Sequence, residues 1–305
     1  MSNQLGIPVV FGEVLFDCFP DGASVLGGAP FNVAWHLQGF GLSPLFISRV
    51  GNDEQGGIVK QTMAEWGMNL DGVQEDSKHG TGQVKIKLKQ GQPEFSILPH
   101  QAYDFINAQQ VLNVVRDVEG SVLYHGTLAL RERNNVLTFD ALKGALTCPI
   151  FLDINLRAPW WNIDKVLQLT KQATWLKLND EEMITIYDLD SLVTEYELTN
   201  CALQICQDNN MEFCILTLGE QGARICSAQE SFIGEPVKPK EIKDTVGAGD
   251  AFSSIVMMGR LLNWPAKKIL KCALEFASAI CEVRGATVFD MSFYNSFKER
   301  WQIIE

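Results

Sequence analysis

Apolar and polar positions follow two different rhythms along this chain. Continuous apolar runs of strand length recur at 7–16, 44–50, 121–125, 150–154, 174–178 and 213–218, the pattern of strands buried on both faces of a parallel sheet. Between them, 55–67, 107–117, 133–146, 163–173 and 193–208 read as helices. Paired glycines followed by proline in Leu26-Gly27-Gly28-Ala29-Pro30-Phe31 announce one more, with Phe31, Ala34, Trp35 and Leu37 on its apolar side. Another helical run, Phe252, Ile255, Val256, Gly259 and Leu262, follows the stretch 244–251. Strands alternating with helices at short spacing imply a parallel sheet with helices on both faces.

Between 81 and 98 the period drops to two. Val84, Ile86 and Leu88 alternate with Lys85, Lys87 and Lys89, Gln90-Gly91-Gln92 makes a turn, and Glu94 to Leu98 alternates again. A hairpin with one wet face belongs to a small sheet apart from the main one. Its apolar face needs cover, from a ligand cleft or from another subunit. With no internal repeat and no long linker, 305 residues suit one large α/β domain with an appendage, or two domains.

Composition narrows the function classes. Hydrophobic residues make up 46% and charged residues 20%, as in an ordinary globular protein, and the net charge of −12 argues against general nucleic-acid binding. The eight cysteines form no C-x-x-C and sit mostly in apolar runs such as Phe213-Cys214-Ile215-Leu216, which suits a reducing compartment. No apolar run reaches eighteen residues and no signal-peptide pattern opens the chain, so a soluble, cytoplasmic protein without membrane contact is expected. The four histidines show no metal-ligand spacing; all read as core or surface residues, with His125 alone a candidate for a cleft.

The chemistry concentrates in Asp244-Thr245-Val246-Gly247-Ala248-Gly249-Asp250. Two glycines before a helix let backbone N–H groups converge, and the helix N-terminus favours an anion there. A carboxylate beside bound phosphate is useful for taking a proton from an attacking hydroxyl, which points to Asp250 as a base; an N-cap is the plainer alternative. The loop is neither G-x-x-x-x-G-K-[ST] nor G-x-G-x-x-G, since position 252 is Phe. Polar residues also gather at strand ends, where ligands of open parallel sheets collect. They are Asp17, Asn32 in a first helical turn, Asp153 to Arg157, Asn179 with Glu182, and Thr217 to Gly222. For Glu182 alone, a helix-dipole partner is the simpler reading.

Taken together, D-T-V-G-A-G-D-A-F at 244–252 and G-G-A-P-F-N-V-A at 27–34 resemble the ribokinase-like (PfkB-type) sugar kinases, with similarity from Gly12 to Ala286. The resemblance implies a three-layer α/β/α fold with a mainly parallel central sheet and a small β-sheet lid. It implies a single kinase domain over 1–305, with lid segments near 13–26 and 81–100. It makes Asp250 the base and the amides of Gly247, Ala248 and Gly249 an anion hole. Asn179 and Glu182 match an N-x-x-E element that places Mg²⁺ through water. Thr217, Gly219, Gly222 and Gly249 would border ATP, and Leu274 to Ala277 the adenine. Asp244 and Val246 align with positions that hold a monovalent cation, K⁺, in some members.

The residues Ala29-Pro30-Phe31 after the paired glycines, Asp153 to Arg157, and Gln101-Ala102-Tyr103-Asp104 resemble the fructokinase subgroup in particular. D-fructose phosphorylated at O6 is therefore the expected reaction, with Asp17, Gly28, Asn32, Asn155, Arg157 and Asp250 around the sugar. A carboxylate and an amide suit a neutral polyol. Arg157 keeps 2-keto-3-deoxygluconate as the runner-up to fructose, with another sugar or a nucleoside as the further alternative within the family. The lid suggests a homodimer. Two other classes stay in view: a sugar-binding regulator, against which the intact Gly-x-Gly-Asp speaks, and a nicotinamide oxidoreductase, against which the missing G-x-G-x-x-G speaks.

Overall fold

The computed structural model describes residues 6–89 and 92–303. Its strands are β1 (Ile7–Phe11), β2 (Leu15–Cys18), β3 (Ser24–Gly27), β4 (Leu45–Gly51), β5 (Val73–Asp76), β6 (Gly82–Lys89), β7 (Gln92–Ile97), β8 (Gly120–His125), β9 (Ile150–Asp153), β10 (Trp175–Asn179), β11 (Phe213–Thr217), β12 (Ala223–Cys226) and β13 (Ser231–Gly234). The helices are α1 (Ala29–Gly39), α2 (Glu54–Glu65), α3 (Ala108–Val115), α4 (Arg133–Ala145), α5 (Ile163–Thr170), α6 (Asp180–Tyr187), α7 (Glu195–Asn209), α8 (Ala248–Leu261), α9 (Ala266–Ile280) and α10 (Met291–Trp301). Nine strands form one sheet in the order β13-β12-β11-β10-β9-β8-β1-β4-β5, parallel except for the β12 and β13 edge, and β3-β2-β6-β7 form a second.

Alternate side chains of the main-sheet strands feed one cluster on one face of the sheet and two on the other. Val10, Phe46, Tyr124, Phe151, Trp175 and Ile215 face one layer with residues of α1, α8, α9 and α10, while Val9, Phe11, Leu45 and Leu123 face α3 and α4, and Leu176, Leu178 and Leu216 face α6 and α7. Both faces of the sheet are therefore covered, which is why its strands read as continuous apolar runs.

One expectation fails at the start of the chain. The run 7–16 is not one strand: β1 ends at Phe11, and Leu15 opens β2 in the small sheet. Hydrophobicity cannot reveal this break, because Gly12, Glu13 and Val14 are buried as deeply as the strands they join. The hairpin stands apart from the main sheet as expected, although the tip of its turn, residues 90 and 91, lies outside the described residues. Its register places Leu15, Asp17, Val25, Gly27, Val84 and Ile86 on one face. Val84 and Ile86 are buried within the single chain, and a methyl at Gly285 would stand 3.9 Å from Val25. This face is thus turned toward the main domain. Among the described residues no helix is long and apolar enough to cross a membrane.

Candidate active site

The carboxyl ends of the parallel strands and the first turn of α8 meet beneath the small sheet. Gly247 caps α8 in the left-handed region, at φ 82°, and a methyl there would lie 2.4 Å from Ala286 Cβ. Only glycine meets both demands. The first bond of the helix, Ala251 N–H to the Gly247 carbonyl at 2.8 Å, comes after Ala248, Gly249 and Asp250. The N–H groups of those three residues belong to the opening turn and carry the positive end of the helix; Ala248 N makes only a long 3.3 Å bond back to the Thr245 carbonyl.

Asp250 is buried, and its Oδ2 accepts from Asn32 Nδ2 at 2.8 Å. Burial raises its pKa to about 6; the Asn32 bond and the charges of Lys177 and Arg157 pull the other way, while Asp153 adds to the rise. A carboxylate titrating near 6 is well matched to proton abstraction near neutral pH. Asn32 stands in the first turn of α1, which starts at Gly28 with φ 114°. A methyl on Gly28 would come within 2.7 Å of the Glu13 carbonyl, so the glycine brings α1 against the β1–β2 joint. The Oδ1 of Asn32 is buried without a partner, and a methyl on Gly27 would stand 3.9 Å from it.

Asp17, on β2, is half-buried. Burial raises its pKa, Arg157 lowers it and Asp244 raises it, so both charges reach Asp17. Asn155 adopts φ 47° just after β9, and Arg157 is exposed, with its charge reaching Glu13, Asp17 and Asp250. Asn179 and Glu182 form a reciprocal capping box at the start of α6. Glu182 Oε2 accepts from Asn179 N at 3.0 Å and its Oε1 from Leu156 N at 2.8 Å. Burial raises the Glu182 pKa, with Asp153 adding to it and Lys177 opposing. The helix-start reading of Glu182 thus describes its direct contacts.

Thr217 pairs with Asn179 on the neighbouring strand. The turn Gly219 to Gly222 leads into β12; a methyl on Gly222 would strike the Gly234 carbonyl at 2.2 Å, and one on Gly234 would meet Leu274 at 2.8 Å. The strip from 217 to 222 and α9, which carries Leu274 and Ala277, are therefore adjacent. Asp244 Oδ1 accepts from Val246 N at 3.0 Å and its Oδ2 from Gly285 N at 3.2 Å, so this carboxylate folds the loop around the turn. Among the described residues no group of three or more His, Cys, Asp or Glu is arranged to hold a metal ion.

His125 does not enter the cleft. It is buried 4.3 Å from the Phe139 ring, with Nδ1 on the Gly126 carbonyl, and burial lowers its pKa to about 4.

Two features escaped the reading of the residues. Lys177 Nζ lies 2.8 and 2.9 Å from the two oxygens of Asp153, and a methyl on Gly249 would stand 3.6 Å from the ammonium. Burial alone would lower the pKa of Lys177, but Asp153 more than compensates and the net shift is upward. A cation is thus fixed directly under the turn at 247–250. Asp153 Oδ2 also accepts from Tyr124 OH at 3.1 Å and from Ser253 Oγ at 2.7 Å, and the same Ser253 oxygen lies 3.0 Å from the Gly249 carbonyl oxygen. The only sequence signal was a lysine inside an apolar strand.

The second is Glu13, in the joint between the sheets. Its Oε2 is buried without a partner, and burial lifts its pKa to about 7 despite Arg157 and Arg131 nearby. Because the folded-state pKa is raised, its contribution to stability is complete below the unfolded value near 4.5 and is lost as pH rises through about 7. Glu13→Gln is therefore expected to stabilise the fold at pH 8 relative to wild type, by up to about 3 kcal/mol at 1.36 kcal/mol per pKa unit. The advantage should disappear near pH 4.5. Thermal unfolding of both proteins across this range checks it, and a gap that does not change with pH contradicts it.

Comparison with known proteins agrees with this geometry. The chain is 28% identical to the probable fructokinase-5 of Arabidopsis thaliana over 297 residues, covering 89% of each chain. It superposes on the fructokinase of Vibrio cholerae O395, determined with fructose, ADP and calcium ion, with TM-score 0.79 at 22% identity, over 97% of this chain and 99% of the other. Arabidopsis thaliana ribokinase complexed with ribose and ATP gives TM-score 0.79 at 18% identity, over 96% and 99%. The architecture, a large mainly parallel sheet between helix layers with a small separate sheet, is ribokinase-like. Residues 19–291 match the pfkB family carbohydrate kinases, and the chain belongs to that family.

Proposed function

We propose that this carbohydrate kinase is a single domain that transfers the γ-phosphate of ATP to the O6 hydroxyl of D-fructose. The observation that carries the reading is the turn at 247–250, where a buried carboxylate with raised pKa stands beside helix-start amides above a buried lysine. Asp250 takes the proton of the attacking hydroxyl. The amides of Gly247, Ala248 and Gly249 stabilise the charge on the transferred group, with Lys177 adding to the field from below. Asn32 orients Asp250 through its amide and offers its free Oδ1 to the sugar. Asp17, Gly28, Asn155 and Arg157 complete the sugar side, and Thr217, Gly219, Gly222, Leu274 and Ala277 the nucleotide side.

Mg²⁺ fits as an ion reached through water. Each Glu182 oxygen already accepts one backbone N–H, and a carboxylate keeps lone pairs for a metal-bound water. When bound, the ion neutralises phosphate charge. Asn179 and Glu182 would hold its water shell. Glu182→Gln should accordingly raise the Mg²⁺ concentration needed for half-maximal activity by about 10–100-fold. An unchanged Mg²⁺ titration with a lowered Tm would leave Glu182 as a capping residue alone. K⁺ at Asp244 and the Val246 carbonyl belongs to the same reading, as do a cytoplasmic location and a homodimer through the lid. Support for the dimer comes from Val25 and Phe95, which belong to the face turned toward the main domain and yet stay exposed in the single chain.

The substrate is tested with an ADP-release assay over a panel of sugars. Fructose should give the highest kcat/KM, and Asp17→Ala should raise sugar KM by about 10–100-fold, the scale for hydrogen bonds to a charged group, with ATP KM little changed. If 2-keto-3-deoxygluconate wins the comparison, Arg157 rather than Asp17 dominates recognition and the fructose reading is wrong. A wild-type chain that binds sugar but releases no ADP would point to the regulator.

A further inference from the structure

The catalytic turn is held at both ends by one helix. Asn32 and His36 are four residues apart on α1 and so share a face. Asn32 binds Asp250, at the far end of the turn. His36 Nε2 lies 3.0 Å from the Ala286 carbonyl oxygen, and Ala286 is the residue packed so tightly on Gly247 that a methyl there would sit 2.4 and 2.6 Å from its Cβ and Cα. A carbonyl only accepts, so Nε2 carries the proton. His36 is fully buried, and its Nδ1 lies 3.0 Å from Tyr294 OH. Trp35 Nε1 donates to the Val288 carbonyl at 3.0 Å, so two successive side chains of α1 grip the segment 286–288. From the other side Asp244 accepts from Gly285 N.

We propose that His36 is a positioning residue for phosphoryl transfer: through the Ala286 carbonyl it fixes the strap that presses on Gly247 and so sets the direction of the 247–249 amides. This rests on the kinase reading of the turn. The ring remains neutral across the working range, since burial lowers its pKa to about 3, so the donor at Nε2 is constant. Tyr294 and Ala286 are the groups that face its two nitrogens, and the Phe276 ring packs edge-on at 5.1 Å.

His36→Asn and His36→Gln separate this role from core packing. A glutamine amide reaches the Nε2 position and keeps the donor; an asparagine amide reaches only Nδ1. The Asn variant should lose about 10–100-fold in kcat, the scale of an ångström-sized misplacement, with sugar KM within threefold and faster hydrogen exchange at 244–250. The Gln variant should restore both. Ala286→Gly, which leaves the His36 bond but removes the methyl against Gly247, should also lower kcat and loosen 244–250, and it decides the matter if the Asn variant is not recovered folded. Equal kcat and equal exchange in the Asn and Gln variants, or an Ala286→Gly protein indistinguishable from wild type, overturns the inference. Sugar-dependent ADP release by the wild-type chain tests the kinase reading separately, and the exchange readout stands without it.

Discussion

Asp250→Asn should lower kcat by about 10²–10⁴-fold, the contribution of a general base, while the fold and sugar KM stay close to wild type. An asparagine oxygen can still accept from Asn32 Nδ2, so the contact that holds the side chain survives and only proton transfer is lost. The pH profile adds an independent check. The base must be ionised, and its pKa is raised to about 6, so wild-type kcat/KM should fall as pH drops through that value. The residual activity of the variant should lack that limb. An Asn variant that keeps most of its activity, or keeps the same acid limb, would assign the base to another group.

Lys177→Met should be the most destabilising single change at the site, costing about 3–5 kcal/mol, because it leaves Asp153 buried and uncompensated. Tyr124 and Ser253 would still donate to that carboxylate, but neither carries charge. Adding Asp153→Leu to the Lys177→Met chain should recover much of the loss, since an apolar pair replaces a buried charge pair at little cost. Urea denaturation of wild type, single and double variants reads this directly. A double variant no more stable than the single would show that the ammonium works mainly through Gly249 and α8 rather than through its pair.

These two residues mark the limit of what was legible in the chain. Asp250 announced itself because glycines, a carboxylate and an apolar helix stand within a few residues of one another, and local geometry follows from local sequence. The inner strands β4, β8, β9, β10 and β11 were legible for the same reason, their apolar runs being short and bounded, whereas the edge strands β5 (Val73–Asp76) and β13 (Ser231–Gly234) carry no such run and were missed. Lys177 was not, because a lysine inside Trp175-Leu176-Lys177-Leu178 can point to solvent or to a partner, and the partner is on another strand. Glu13 was hidden inside a run that looked like one strand. His36 was read only as a core or surface residue, because its bond to Ala286 spans 250 positions and leaves no trace in periodicity. Glu182 shows the converse: its helix-start pattern is real, and it predicted the contacts the side chain makes.

The break in the chain after Phe11 also bears on how the small sheet can move. Its first strand springs from a joint in which Gly12 N–H is bonded to the Ile47 carbonyl at 3.1 Å, Pro30 leaves no room for a methyl on Gly12, and Val14 has no exposed surface. Such a root cannot swing. The small sheet is thus a cantilever whose clamped end lies in the core. Asp17 lies three residues beyond Val14, close to the fulcrum, whereas Phe95 lies far out on the hairpin. Clamped at this end, the small sheet holds the Asp17 carboxylate at a set distance from the main domain.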